Sequence, residues 1–269
     1  SFVAGGAAVP LSKERRERVL ALAQEGVALG KELLEVAKKA ITDQMELVES
    51  LPLETHYMGT VNGGVLDFYQ GDIRLRAPDG KDIDFASADW ASYIFEETLP
   101  TSYAKYAFCR TSDEEAVPYR VGPLARLNIC DSIDTPGAAA ELEEFRKLGG
   151  APYHQTVMYH YARLIEILHS LEKLAEVVAD DEIASADVKA KLGSPRSAAC
   201  HVEAPRGTLI HDYEVDSNGI VTKANLIVAT QQNLSSMDAC IGMAAQQYLE
   251  QDDALLLNAI EFSIRCYDP

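Results

Sequence analysis

Apolar residues recur at helical spacing through Val19, Leu22, Ala23, Leu29, Leu33, Val36, Ala37, Ala40, Ile41, Met45 and Val48, with charges between them. This period predicts one long helix over 12–50, with Ser12 as N-cap and Pro52 closing it. Over 55–100 the pattern changes. NGG at 62–64, QGD at 70–72 and PDGK at 78–81 separate short runs such as VLDFY and DIRLR, which predicts an antiparallel meander. Residues 100–135, with Pro118, Gly122 and Pro123, read as irregular. A short helix is predicted over 138–147, stopped by Gly149 and Gly150. A second long helix over 153–179 carries the stripe Val157, Tyr161, Leu164, Ile165, Leu168, Leu171 and Leu174. Next come a short helix over 181–192, a β-hairpin turning at Ser217–Gly219, and helices at about 236–249 and 252–265. The fold class is therefore α+β: mainly helical, a long-helix bundle with a β-meander insertion and a β-hairpin in the C-terminal half. Residues 1–269 read as a single domain, with 55–100 as its β-rich insertion.

Composition narrows the function. Hydrophobic residues make up 47% of the chain, enough to bury a real core. The formal charge of −18 repels phosphate backbones and anionic membrane surfaces, which argues against nucleic-acid and membrane partners. No run of about 18 apolar residues occurs, so no transmembrane helix is predicted. The five cysteines, Cys109, Cys130, Cys200, Cys240 and Cys266, are widely spaced and form no CxxC pair. They read as reduced, packed thiols of a cytoplasmic protein rather than a disulfide framework or a zinc site.

Motifs for familiar chemistry are missing. No HExxH, GxSxG, GxGxxG or GxxxxGK[ST] occurs. The six histidines are not spaced for a shared metal and read as hydrogen-bonded structural groups. Two segments stand out. EAPRG at 203–207 sets Arg206 between a rigid Pro205 and a permissive Gly207, a place from which a guanidinium fork can face an anion. An ordinary ion-paired arginine is the plainer reading. VATQQN at 228–233 is a polar run directly after an apolar strand. Its Thr230 and Asn233 either line a site or cap a helix.

Taken together, the motifs resemble one family. HVEAPRGTLIHDY, then NLIVATQQNLSSMD, then a helical pair ending RCYDP, is similar to the C-terminal half of nickel–iron hydrogenase large subunits. VGPLARLN at 121–128 and YHYARLIEILHSLE at 159–172 are similar to two further signatures of that family, and the resemblance covers nearly the whole chain. It is nearest to the cytoplasmic, multi-subunit branch, the methyl-viologen-reducing, F420-non-reducing type above all. ATQQN in place of the PTTWN-like run of membrane-bound uptake enzymes agrees with that branch.

The resemblance implies reversible oxidation of dihydrogen at a nickel–iron centre with cyanide and carbon monoxide ligands. Electrons would pass to an iron–sulfur small subunit, and on to subunits of the heterodisulfide-reductase or diaphorase kind. It assigns Arg206 and Asp238 as a catalytic pair, the arginine over the metals and the aspartate holding it. Pro205, Leu209, Val228 and Ala229 would shape the pocket of the diatomic ligands, and Thr230 would donate to a cyanide. The Leu226 carbonyl would be a magnesium ligand. The family's two CxxC pairs are not in the sequence, which stops at Asp268–Pro269. Both ends read as cuts, so the metal thiols are expected outside this chain, and the fragment alone is expected to be inactive. The alternatives are a metal-free relative, such as the quinone-site subunit of a complex I-like assembly, and an apo or precursor form awaiting its metals.

Overall fold

The computed structural model describes residues 2–111, 116–194 and 196–268. A short ribbon, β1 (Phe2–Val3) and β2 (Gly6–Ala7), leads into the long helix α1 (Lys13–Asp43). Ser12 starts the helix, its hydroxyl accepting from the Arg15 amide at 3.3 Å. One more turn, α2 (Met45–Val48), brings the chain to Pro52.

The meander follows. Strands β3 (His56–Asn62), β4 (Val65–Leu66), β5 (Asp72–Arg76) and β6 (Asp82–Phe85) pair antiparallel, with β3–β5–β6 side by side. After a short helix, α3 (Trp90–Tyr93), a second antiparallel sheet forms from β7 (Ile94–Thr98), β8 (Lys105–Arg110) and β9 (Ala116–Val117). Strand β10 (Tyr119–Arg120) then joins β3 in parallel.

The expectation that 100–135 is irregular is corrected by β8, β10 and the buried helix α4 (Pro123–Ile129); residues 112–115 lie outside the described part. Pro123 and Gly122 are helix-start residues here, not breakers. Proline sits at the first helical position, where its missing N–H costs nothing, and Gly122 has φ of +98° just before it. Strand β8 gives no clean alternation because Tyr106 and Ala107 are both buried.

Helix α5 (Pro136–Gly149) contains the predicted 138–147, whereas α6 (Tyr159–Ala179) starts six residues later than predicted, after a 3-10 turn over Thr156–Met158. The predicted helix over 181–192 reduces to one 3-10 turn, Asp181–Ala184. Ser185 is extended beyond it, and Lys189 bridges back to Gly6. Strands β11 (Ala198–Ala204), β12 (Gly207–Val215) and β13 (Val221–Ile227) form an antiparallel sheet, one strand more than the predicted hairpin. Helices α7 (Ala229–Gln232), α8 (Leu234–Tyr248) and α9 (Asp253–Arg265) end the described chain.

Helix α1 lies along α6, and closeness comes from glycine: a Cβ on Gly30 would stand 3.6 Å from Leu171, and one on Gly26 only 2.7 Å. The face α1 buries is Ala23, Gly30 and Leu34, with Val27 beside them. The predicted stripe is only partly a core stripe: Leu22, Leu29, Leu33 and Val36 are 47–66% exposed. All four fall on one side of the helix at 100° per residue. No helix among the described residues is long and apolar enough to cross a membrane.

Candidate functional site

The EAPRG segment is a two-residue turn. Ala204 pairs with Gly207 across β11 and β12, leaving Pro205 and Arg206 at the tip. Proline fixes one φ, and Gly207 adopts φ of +141°. A Cβ on Gly207 would lie 2.3 Å from the Val121 side chain, and one on Gly122 would lie 2.7 Å from the Arg206 carbonyl oxygen. The turn is thus seated on the start of α4, which VGPLARLN encodes.

That helix also reaches back and holds the turn. Arg126 is 2% exposed and spends all five of its N–H donors. Its Nε and Nη2 donate to the two Glu166 oxygens of α6, both at 2.6 Å. Its Nη1 donates to Glu203 at 2.7 Å and to the Ala204 carbonyl at 3.0 Å, and Nη2 also donates to the Pro205 carbonyl at 3.1 Å. Burial pulls the Arg126 guanidinium pKa down, but Glu166 and Glu203 outweigh it and the net shift is upward. Burial pushes the Glu166 carboxyl up, with Arg126 opposing. Glu203 is itself held by hydroxyls from Thr60 at 2.8 Å and Thr208 at 2.7 Å.

The remaining motifs close around the same point. The Tyr159 hydroxyl donates to the Val121 carbonyl at 2.9 Å. Asn233 accepts from the Val121 amide at 2.9 Å and donates to its carbonyl at 3.3 Å. Asn233 therefore ties the start of α8 to the seat of the turn, with no side-chain cap bond of its own at that helix. Arg163 donates to the Cys266 carbonyl at 3.0 Å, fixing the residues after α9.

Arg206 and Asp238 are not partners. Arg206 Nε donates to the Asp268 backbone carbonyl, and the Asp268 carboxylate stands 3.6 Å from the same nitrogen. Asp238 instead accepts from the Tyr106 hydroxyl of β8 at 2.7 Å. The expected pairing is corrected on this geometry: Asp238 lies on α8 facing the β7–β8 sheet, whereas the turn after α9 delivers Asp268 to the arginine. Asp268 holds φ of +52°, which turns the chain there; Pro269 lies outside the described residues.

The β12–β13 register, Ile210 opposite Ile227, brings Leu209 to the end of the sheet where Val228 leads into Ala229 and Thr230, the first turn of α7. This is the end that carries Pro205 and Arg206. Leu209 and Thr230 are partly buried, Ala229 is buried, and Val228 and Pro205 are exposed. Gln231, not Thr230, closes the first turn of α7, accepting from the Val228 amide at 3.1 Å. Leu226 sits within β13 opposite His211, and no group of His, Cys, Asp or Glu gathers there among the described residues, so the expected magnesium draws no support from side chains. The residues that sequence reasoning missed are Arg126, Glu166, Glu203 and Asp268. Three lie inside motifs already visible, and Asp268 is in the terminal CYDP.

No protein-family model matches the chain. Its relatives and its fold nevertheless agree: the chain belongs to the large-subunit family of nickel–iron hydrogenases. Within that family it is 38% identical over 278 residues to a polypeptide of the vhc F420-non-reducing hydrogenase of Methanococcus voltae, covering 99% of this chain and 58% of that protein. It is 36% identical over 215 residues to the beta polypeptide of the NAD-reducing hydrogenase HoxS of Cupriavidus necator, covering 76% of this chain and 43% of that protein. The fold superimposes on an NAD+-reducing nickel–iron hydrogenase in the H2-reduced state with a TM-score of 0.93, at 30% identity, covering 98% of this chain and 60% of that one. The chain thus spans about three fifths of the length of most relatives it matches.

The family implies a nickel–iron centre, and the sulfur donors of this chain do not fit one. A thiolate is the form that binds metal. Burial pushes the Cys109, Cys130 and Cys266 thiols up to about 12, and Cys109 and Cys266 each donate to a backbone carbonyl nearby in the chain. Cys240 is buried among Thr156 and Tyr267. Cys200 is exposed on β11, a departure from the expectation of packed thiols. Among the described residues no group of three His, Cys, Asp or Glu is placed to hold a metal.

Proposed function

We propose that this chain is the part of a hydrogenase large subunit that carries the charged roof of the active site, and that the complete subunit interconverts dihydrogen with two protons and two electrons. The observation that carries the reading is the seated Pro205–Arg206 turn with Asp268 against its guanidinium, in a fold matching a nickel–iron hydrogenase at a TM-score of 0.93. An arginine keeps its charge at any working pH and offers directed donors, which suits anionic ligands such as cyanide. Seating the turn so firmly on α4 fixes those donors before any ligand arrives. Pro205, Leu209, Val228, Ala229 and Thr230 line the same sheet end and form the walls of that site. Nickel and iron, with their cyanide and carbon monoxide, take their thiolates from outside these residues.

Electrons leave to an iron–sulfur small subunit, and then to subunits of the heterodisulfide-reductase or diaphorase kind. The relatives are named as subunits, which supports a multi-subunit assembly, and so does the exposed apolar side of α1, which is surface of the sort that partners cover. Unpaired cysteines support a cytoplasmic location.

The test uses the complete protein that carries this chain, purified with its partners. Nickel and iron by elemental analysis, infrared bands of bound cyanide and carbon monoxide, and dihydrogen-dependent dye reduction are the expected results. Metal-free protein with no such bands, isolated after full maturation, would establish the non-catalytic relative instead.

A further inference from the structure

The geometry points to Arg126 as a positioning residue that sets the direction of Arg206, acting through the backbone carbonyls of Ala204 and Pro205. This rests on the reading that Arg206 works at the dihydrogen site. The Arg126 guanidinium never approaches that site; it grips the two carbonyls immediately before Arg206, at 3.0 and 3.1 Å.

Three features separate this from an ordinary structural ion pair. First, the cluster is a poor choice for stability. Arg126, Glu166 and Glu203 are buried together, and a buried ion network is generally matched or bettered by apolar packing of the same volume. What such a network supplies is fixed direction. Second, the donors are fully committed: two bonds to Glu166 orient the guanidinium plane, one to Glu203 locks its edge, and the remaining two fall on the turn. A lysine, with three donors and no planar fork, cannot reproduce this. Third, α4 and its start restrain the turn in both directions. Gly207 and Gly122 leave it no room to move toward α4, while Arg126 prevents it from moving away. Rotation of the Pro205–Arg206 peptide would swing the Arg206 side chain off Asp268.

A cavity of about 260 Å³ adjoins the cluster, lined by Phe68, Arg126, Arg163, Glu166, Glu203 and Pro205. Truncating Arg126 to alanine would extend this cavity into the place that the head group occupies, leaving room there for a small planar cation.

The experiment is a double-mutant cycle in the complete, metal-loaded hydrogenase complex, with Arg126→Lys, Arg206→Lys and the pair. Positioning predicts that Arg126→Lys lowers turnover on the order of tenfold or more, with the KM for dihydrogen unchanged. In the Arg206→Lys background the same substitution is expected to add almost nothing, because the residue it positions is already gone. The crystal structure of Arg126→Lys should show the Arg206–Asp268 contact opened. In Arg126→Ala, guanidinium added to the assay should restore part of the lost turnover. Should Arg126→Lys fail to fold, Glu166→Gln loosens the same fork, and its smaller loss should likewise vanish in the Arg206→Lys background. Losses that multiply across the cycle, or an Arg206–Asp268 contact intact in the variant crystal, overturn the positioning role alone. Normal turnover by Arg206→Lys overturns both this inference and the reading beneath it.

Discussion

Arg206 and Asp268 stand 62 positions apart in sequence, yet the guanidinium of one donates to the backbone carbonyl of the other, whose carboxylate lies 3.6 Å away. The contact closes the three-stranded sheet onto the end of the last helix. It gives the guanidinium a counter-charge without burying it, since both side chains remain nearly half exposed. Asp268→Asn should therefore lower dihydrogen turnover by about tenfold, as loss of an orienting charge commonly does. Asp238→Asn should leave turnover within about twofold, because an amide oxygen can still accept from the Tyr106 hydroxyl. Steady-state assays of the two variants side by side check the assignment. A larger loss at Asp238 than at Asp268 would reverse it.

Gly122 is a second point of control. Its φ of +98° already disfavours any side chain, and a Cβ would press on the Arg206 carbonyl. Gly122→Ala should cost about 1–3 kcal/mol in unfolding free energy and lower turnover as well, since the turn must shift to make room. Denaturant unfolding and turnover measured on one preparation check this. An unchanged midpoint would show that the turn is loosely seated.

Helix α1 should be a partner surface. Leu22, Leu29, Leu33 and Val36 form one apolar side that nothing in this chain covers among the described residues. The chain by itself should self-associate, and Leu29→Glu with Leu33→Glu should reduce that association while weakening recovery of the small subunit. Sedimentation of both forms is the measurement. A monodisperse wild-type monomer would contradict the proposal.

Acid should destabilise the fold. Burial lowers the pKa of His56, His154, His160, His169 and His201 below the ordinary 6.5, so these rings are held neutral in the folded chain. Once pH falls below about 6.5, the unfolded chain binds protons that the folded one refuses. The stability these rings contribute is present above that pH and is lost as pH drops toward their folded values. His169, 4% exposed and hydrogen-bonded to Thr135 at 2.9 Å, is the clearest case. His169→Gln should flatten the fall in thermal midpoint between about pH 7 and pH 5. A wild-type midpoint that does not move over that range would refute the assignment.

Much of the architecture was legible in local pattern. Ser12, the 3.6-residue period of α1 and α6, and the glycine-rich turns of the meander each encode their element within a few residues. The stretch 100–135 was not legible, because glycine and proline both break and begin helices, and local pattern does not show that Gly122 and Pro123 begin α4. The exposed side of α1 was not legible either: periodicity shows that a helix has an apolar side but not whether this chain or another covers it. At the site, Arg206 was visible from the proline and glycine around it. Its partner was not, because a contact across 62 residues leaves no local mark. VGPLARLN and YHYARLIEILHSLE were visible as motifs, but only the structure shows Arg126 of one pairing with Glu166 of the other beneath the turn.

The central claim is that the Arg206 guanidinium serves dihydrogen chemistry and is not merely a surface ion pair. The most direct measurement is turnover of Arg206→Lys in the complete, metal-loaded enzyme. Lysine keeps the charge but loses the fork, so turnover should fall on the order of 100-fold, with nickel and iron content unchanged. Turnover near that of the wild type, at equal metal content, would contradict the account.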